Sequence, residues 1–190
     1  MAALLRRFDH LLNRPRWSAL GLGAIAACAF QPLALWPLGL AAMALFIALL
    51  WRVVRRRDAA MLGWLFGLGH FTLGNAWIAT AFTYQAKMPG WLGWLAVVGL
   101  AIYLAVYPAL ASLGAWLLGR SSRLALIFAI AASWIVAEWL RGWVFTGFPW
   151  NPFGVVLLGP FDSPGLARLL PWLGTYALSG LAILLAGALW

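Results

Sequence analysis

The side chains most able to do chemistry lie in one stretch of the chain, residues 138–154. Glu138 is the only glutamate, and Arg141 follows it three positions later, at the end of a long apolar run. On a helix this spacing puts both side chains on one face, where they can form an ion pair. Because the pair lies at the outer end of the helix, we expect it to be only partly desolvated. The next segment, 146–152, contains two prolines and cannot be regular helix, because proline lacks the backbone N–H that a helix interior needs.

The pair has two interpretations. In the first, it closes the end of the helix and anchors the next loop, since a lone charge is costly at membrane depth. In the second, it positions an aromatic loop at a lipid-accessible cleft, and the planar fork of Arg141 contacts a phospholipid phosphate. Irregular backbone near membrane level is tolerated only against protein or a wet cavity. We therefore predict that this loop forms the floor of a lipid-facing site, with Phe148 and Trp150 entering the interface.

The single Glu, Lys and Cys of the chain form a second set of reactive residues: Glu138, Lys87 and Cys28. Such a trio can activate a thiolate nucleophile, but Cys28 lies in a proline-broken apolar turn, where we expect it to be inert. A lone cysteine also excludes an internal disulfide. The two histidines, His10 and His70, are 60 positions apart, and no Cys, His and carboxylate cluster has ligand spacing. We expect neither a metal nor a cofactor.

The composition is that of a membrane protein. The 190 residues are 65% hydrophobic and only 9% charged, whereas a soluble domain is about half apolar and a quarter charged. The mean hydropathy is +0.93. The net charge of +9 could indicate nucleic-acid binding. Here, however, the basic residues sit at the ends of apolar runs, where they act as orientation signals, so no nucleic-acid partner is expected.

The pattern predicts an all-α transmembrane bundle of about six helices without a soluble domain. A basic lead, 1–16, precedes a bundle that occupies 17–190. The first uncharged run, 17–51, is too long for one span, and the prolines at positions 32 and 37 divide it into a hairpin. The predicted helices are 17–30, 38–53, 59–82, 91–118, 124–140 and 167–190, with an outer loop at 141–166.

Charge asymmetry sets the predicted orientation. Ten of the 13 basic residues fall in the lead and the two predicted inner loops, which places both termini in the cytoplasm. The run Ile25-Ala26-Ala27-Cys28 also fits a lipoprotein processing box, and cleavage there would leave Cys28 as a lipidated N-terminus. Because no hydrophilic mature domain follows, an uncleaved first helix is favoured.

The predicted third helix carries both small and polar residues. Gly63 and Gly67 are four apart, a spacing that lets membrane helices approach closely. His70 and Asn75 lie in the same helix. Polar groups at membrane depth mark functional positions or hydrogen-bond to neighbouring helices, and the sequence leaves both alternatives open.

With these residues in view, the chain resembles the apolipoprotein N-acyltransferases of bacterial inner membranes. The most specific match is Glu138-Trp139-Leu140-Arg141-Gly142 with Thr146-Gly147-Phe148-Pro149-Trp150. Further matches are Phe30-Gln31-Pro32 with Leu35-Trp36-Pro37-Leu38, the glycine-rich segment from Gly67 to Trp77, Tyr103 with Tyr107-Pro108, and Leu173 to Ser179. They follow one another in order over nearly the whole chain. The predicted third helix departs from the family's sequence pattern at Asn75, just before Trp77.

The resemblance implies transfer of an acyl chain from a phospholipid to the N-terminal diacylglyceryl-cysteine of lipoproteins, by a multi-pass protein whose outer loops are periplasmic. It places catalysis in a nitrilase-like domain with a Glu-Lys-Cys triad that follows a seventh helix, so no catalytic residue is carried over to these 190. A separately encoded nitrilase-like domain would be one partner that completes the enzyme. The residues carried over as lipid- or substrate-site candidates are Glu138, Arg141, Gly147, Phe148, Pro149, Trp150, Trp77 and Tyr107.

Two other function classes are considered. A non-enzymatic membrane module could use the same outer loop to bind lipid or a partner. A small transporter is disfavoured, because the sequence has no inverted repeat and no charged residue at mid-membrane.

Overall fold

The structure, a computed structural model, describes residues 14–84, 89–145, 147–159 and 163–190, and within these ranges it is helical with no strand. This confirms the predicted all-α class. Two short 3-10 helices, Phe153–Leu157 and Gly165–Leu169, lie between the last two α-helices. The α-helices are α1 Pro15–Ala27, α2 Trp36–Arg52, α3 Arg56–Gly74, α4 Trp77–Thr83, α5 Gly90–Leu104, α6 Val106–Leu118, α7 Arg123–Trp143 and α8 Leu170–Leu189.

The lengths and the apolar composition of the helices are those of a membrane-embedded protein. Three helical stretches of the described chain are long and apolar enough to cross a bilayer by length and composition: Gly90–Leu118, Arg123–Trp143 and Gly165–Leu189. Helix α2 is apolar but shorter. Many large apolar side chains face outward from the bundle, as expected where the surroundings are hydrocarbon.

Helix bounds differ from the prediction where backbone geometry breaks the apolar pattern. The predicted helix 59–82 is interrupted at Asn75, so α3 and α4 are separate. The predicted helix 91–118 is interrupted at Ala105, three residues before Pro108, whose missing N–H cannot extend the hydrogen-bond ladder. Helix α7 continues to Trp143, beyond the predicted end at 140. Helix α8 contains a non-helical Gly174. Residues 1–13 of the predicted basic lead lie outside the described residues.

The helices pack in a ring. Helix α1 packs on α2 and α3, α3 on α6, α6 on α7, α7 on α8, and α8 back on α2. Glycines on two faces of α3 permit close approaches to neighbouring helices. A Cβ on Gly69 would overlap the Leu20 carbonyl of α1, and a Cβ on Gly63 would overlap Pro108 and Ser112 of α6. The sequence-based prediction of a close helix contact at Gly63 and Gly67 is therefore confirmed.

Candidate functional site

Glu138 and Arg141 form an ion pair on α7. Arg141 Nη2 lies 3.9 Å from Glu138 Oε1, so the predicted pairing on one helix face is confirmed. The predicted partial desolvation is wrong, because Glu138 is 5% exposed and Arg141 only 2%. Both are enclosed because α7 continues for two residues beyond Arg141 and the following loop folds back over the pair.

Glu138 connects its own helix to that returning loop. Its Oε1 atom accepts a hydrogen bond from Trp134 Nε1 at 3.0 Å, one turn earlier on α7. The same oxygen accepts from the backbone N–H of Phe153 at 2.7 Å. Hydrogen bonds to an ionised acceptor are stronger than neutral ones, so this carboxylate fixes the far end of the loop to α7.

Arg141 fixes the middle of the same loop. Its Nη1 atom donates to the backbone carbonyl of Trp150 at 2.6 Å, and its own carbonyl accepts from the Phe148 N–H at 2.8 Å. The guanidinium lies over the ring of Phe71, 5.1 Å from the centroid, a geometry that favours a cation. With these partners, Arg141 acts on the loop backbone and on α3 together.

We call residues 147–154 the ledge. Its described backbone is irregular up to residue 152, as predicted, with Gly147 and Asn151 in the left-handed region at φ +74° and +54°. Asn151 Nδ2 donates to the Gly74 carbonyl at 3.1 Å and to Asn75 Oδ1 at 3.2 Å. Asparagine tolerates the left-handed conformation better than most residues. The ledge is therefore tied to the end of α3, where that helix breaks.

The ledge presents aromatic and proline surface. Trp150 is 58% exposed, and its ring packs against Trp77 of α4, itself 52% exposed, with the centroids 5.7 Å apart. Pro149 is exposed as well. Phe148 is half-buried against the core, so the two predicted interface aromatics differ in exposure. Fixed contacts beneath the ledge thus hold an exposed indole pair above it.

A small cavity lies beneath the ledge. It is lined by side chains of α3, α6, α7 and the ledge, among them Tyr107, Glu138 and Arg141. The space open to the centre of a water molecule is about 10 Å³, enough for one water. Tyr107 is buried, and its hydroxyl lies 2.7 Å from that of Tyr103.

The sequence-predicted candidates thus fall into two groups. Glu138, Arg141 and Tyr107 line the cavity, while the ledge residues and Trp77 lie above it. Thr146 and Lys87 are outside the described residues. Cys28 lies at the end of α1, where its thiol donates to the Ala24 carbonyl. Within the described ranges, no group of three or more His, Cys, Asp or Glu could hold a metal.

Sequence reasoning missed several residues that build the ledge. Ser179 of α8 accepts from the Gly154 N–H at 2.8 Å, and Asn151 makes the contacts to the end of α3 described above. Trp134 and Phe71 support the ion pair from α7 and α3. Asn followed by Pro, and a lone Ser in an apolar helix, are the sequence signals that could have drawn attention to Asn151 and Ser179.

The fold and site define a class: a polytopic helical membrane protein in which a buried ion pair holds an aromatic loop. Comparison with known proteins identifies the family. Residues 22–188 match the model of the apolipoprotein N-acyltransferase N-terminal domain, and the chain belongs to this family.

Curated relatives agree with the family assignment. Proteins named apolipoprotein N-acyltransferase are 36% identical over 185 residues in Vibrio cholerae, 39% over 176 in Ralstonia nicotianae and 38% over 176 in Rhodopseudomonas palustris. The matches cover 95%, 88% and 87% of this chain but 35%, 32% and 31% of those proteins. The chain therefore spans about a third of the length of the curated relatives it matches.

Proposed function

We propose that these residues are the membrane-embedded part of an apolipoprotein N-acyltransferase of the bacterial inner membrane. In this proposal the ledge is a fixed lipid-side platform on the periplasmic side. The acyl donor is a phospholipid, and the acceptor is a lipoprotein with an N-terminal diacylglyceryl-cysteine. The nucleophile belongs to a nitrilase-like domain, and the bundle contributes positioning of lipid chains.

One observation carries the proposal. The segment in which the resemblance to the family is most specific is the one whose backbone is held by the buried ion pair, through the Trp150 carbonyl and the Phe153 N–H. These two bonds anchor the loop, as the first interpretation of the pair expects, and the platform adds to that anchoring the exposed aromatic surface that the second interpretation requires. The arrangement keeps the exposed rings of Trp150 and Trp77 in one place. Aromatic rings suit the membrane interface, where they meet acyl chains and headgroups together.

A chimaera tests the proposal. Residues 14–190 of this chain would replace the matching region of the Vibrio cholerae relative, in cells depleted of their own enzyme. The expected result is a lipoprotein whose N-terminal peptide gains the mass of one acyl chain, while the 190-residue chain alone gives no gain. Failure of a correctly inserted chimaera to transfer acyl chains would refute the assignment and favour a lipid- or partner-binding module.

A ledge variant of the active chimaera tests the role of the platform. We expect Trp150→Ala to reduce the acylation rate about tenfold, equivalent to about 1.4 kcal/mol of lost transition-state stabilisation. Trp172→Ala is the matched control, since Trp172 is also exposed but lies on α8 outside the ledge. Equal losses in the two variants would show that the ledge has no special role.

A further inference from the structure

A second pocket lies at the opposite end of α3 from the ledge. It is formed where α1 begins, α2 ends and α3 begins, and its volume is about 410 Å³. Helix α3 has 19 residues, so the pocket and the ledge are about 27 Å apart along its axis at 1.5 Å per residue. This pocket is therefore separate from the ledge.

Three arginines from different elements line this pocket. Arg16 comes from the first turn of α1, Arg52 from the last turn of α2, and Arg55 from the residue before α3. The one acidic side chain in the lining is Asp58, in the first turn of α3. The formal charge of the lining is thus +2. Basic residues that only set the orientation of a membrane protein need to lie in a loop. They do not need to line the same cavity, as these three arginines do.

The rest of the lining is apolar, and one wall is held in place. Leu49 and Met61 are among the apolar side chains that line the pocket. The Val53 carbonyl accepts hydrogen bonds from Trp116 Nε1 at 3.2 Å and from Arg120 Nη1. These bonds fix the loop between α2 and α3 to the end of α6, so the pocket wall does not depend on a ligand for its shape.

We propose that this pocket binds the phosphate group of an anionic phospholipid, with the arginines on the phosphate and the apolar lining against the upper acyl chain. Guanidinium groups match phosphate oxygens in pairs of hydrogen bonds. Basic pockets between membrane helices recognise lipid headgroups in this way. A soluble phosphate compound would use the same arginines but leave the apolar lining without a partner.

Lipid binding to the full chain in neutral maltoside micelles tests the proposal, because a neutral micelle removes the surface potential of a charged bilayer. Phosphatidylglycerol is titrated and its dissociation constant is measured, with phosphatidylcholine as the zwitterionic comparison. We expect Arg52→Gln with Arg55→Gln to weaken phosphatidylglycerol binding by about tenfold or more, because charge-assisted hydrogen bonds are lost. The matched control is Arg56→Gln with Arg57→Gln, which removes the same charge from neighbouring exposed positions that do not line the pocket.

Asp58→Asn should change the affinity for phosphatidylglycerol in the opposite direction to the arginine substitutions. Removing this negative charge should tighten phosphatidylglycerol binding severalfold, whereas simple damage to the fold would weaken it. Unfolding midpoints without added lipid confirm that each variant is folded. Equal loss in the control pair, or no change with Asp58→Asn, would overturn the proposal. Glycerol 3-phosphate binding as tightly as the lipid would overturn the lipid assignment in favour of a soluble phosphate.

Discussion

Replacing Arg141 by methionine should strongly destabilise the bundle. The substitution removes the hydrogen bond to the Trp150 carbonyl, and bonds to charged groups contribute about 1.5–3 kcal/mol. It also leaves the Glu138 carboxylate, 5% exposed, without its counter-charge. Breaking a buried pair by removing one partner costs about 3–5 kcal/mol. We expect the free energy of unfolding to fall by about that amount.

Glu138→Gln should cost less. The new amide oxygen can still accept from Trp134 and Phe153. Arg141 loses its counter-charge but keeps its bond to the Trp150 carbonyl and its position over the Phe71 ring, so a loss of about 2 kcal/mol is expected. The double variant should then cost less than the sum of the two single changes, since neither charge remains buried alone. The expected coupling is about 2 kcal/mol, within the range of about 0.5–3 kcal/mol for contacting residues.

Equilibrium unfolding in mixed maltoside and dodecyl sulfate micelles, followed by tryptophan fluorescence and circular dichroism, measures these free energies. Arg168→Met is the control, because Arg168 is an exposed arginine, and it should change stability by less than about 0.5 kcal/mol. Additivity of the two pair substitutions to within about 0.5 kcal/mol would refute the argument, because it would mean that the charges at 3.9 Å do not stabilise one another.

Two further stability predictions follow from the helix packing and the ledge. Gly69→Ala should lower the free energy of unfolding by about 1–3 kcal/mol, because the added Cβ would overlap the Leu20 carbonyl. Gly21→Ala is the control: a Cβ there meets open space, so this change should be neutral or slightly stabilising. Similar values for the two variants would contradict the packing argument. Asn151→Ala should cost about 2–4 kcal/mol from two lost hydrogen bonds and a left-handed alanine. Asn151→Gly, which loses the bonds but adopts that conformation freely, should cost less, and the reverse order would show that the backbone conformation is not the cause. The same micelle unfolding experiment measures all four.

Local pattern was enough to predict the helical class and the main contacts within one helix. Apolar runs located the helices, and the i, i+3 spacing located the Glu138–Arg141 pair. The four-residue spacing of Gly63 and Gly67 indicated the close contact of α3. Each of these signals depends on neighbours within about two helical turns.

Contacts between distant segments could not be predicted in this way. Asn151 bonds the Gly74 carbonyl, and Ser179 bonds the Gly154 N–H, across separations that hydrophobic periodicity does not describe. The helix break at Asn75 was missed for the same reason. The apolar pattern continues through this position, and the Asn75 side chain accepts a hydrogen bond from Asn151 of the ledge, a residue far away in the sequence. The burial of the ion pair was also missed, since it depends on a loop that folds back over α7.

Hydrogen bonds to three helices hold the ledge in a fixed position. Irregular backbone at membrane level must have its polar groups satisfied by protein, and here side chains from α7 and α8 bond three backbone groups of the ledge, while Asn151 of the ledge bonds the end of α3. Glu138 accepts a hydrogen bond from the Phe153 N–H, and Arg141 donates one to the Trp150 carbonyl. Ser179 accepts from the Gly154 N–H. Asn151 donates to the Gly74 carbonyl at the end of α3. Displacing the ledge would break several of these bonds together, and each buried group left unpaired costs about 1–3 kcal/mol. The exposed tryptophans above it are therefore held in place by contacts within the protein.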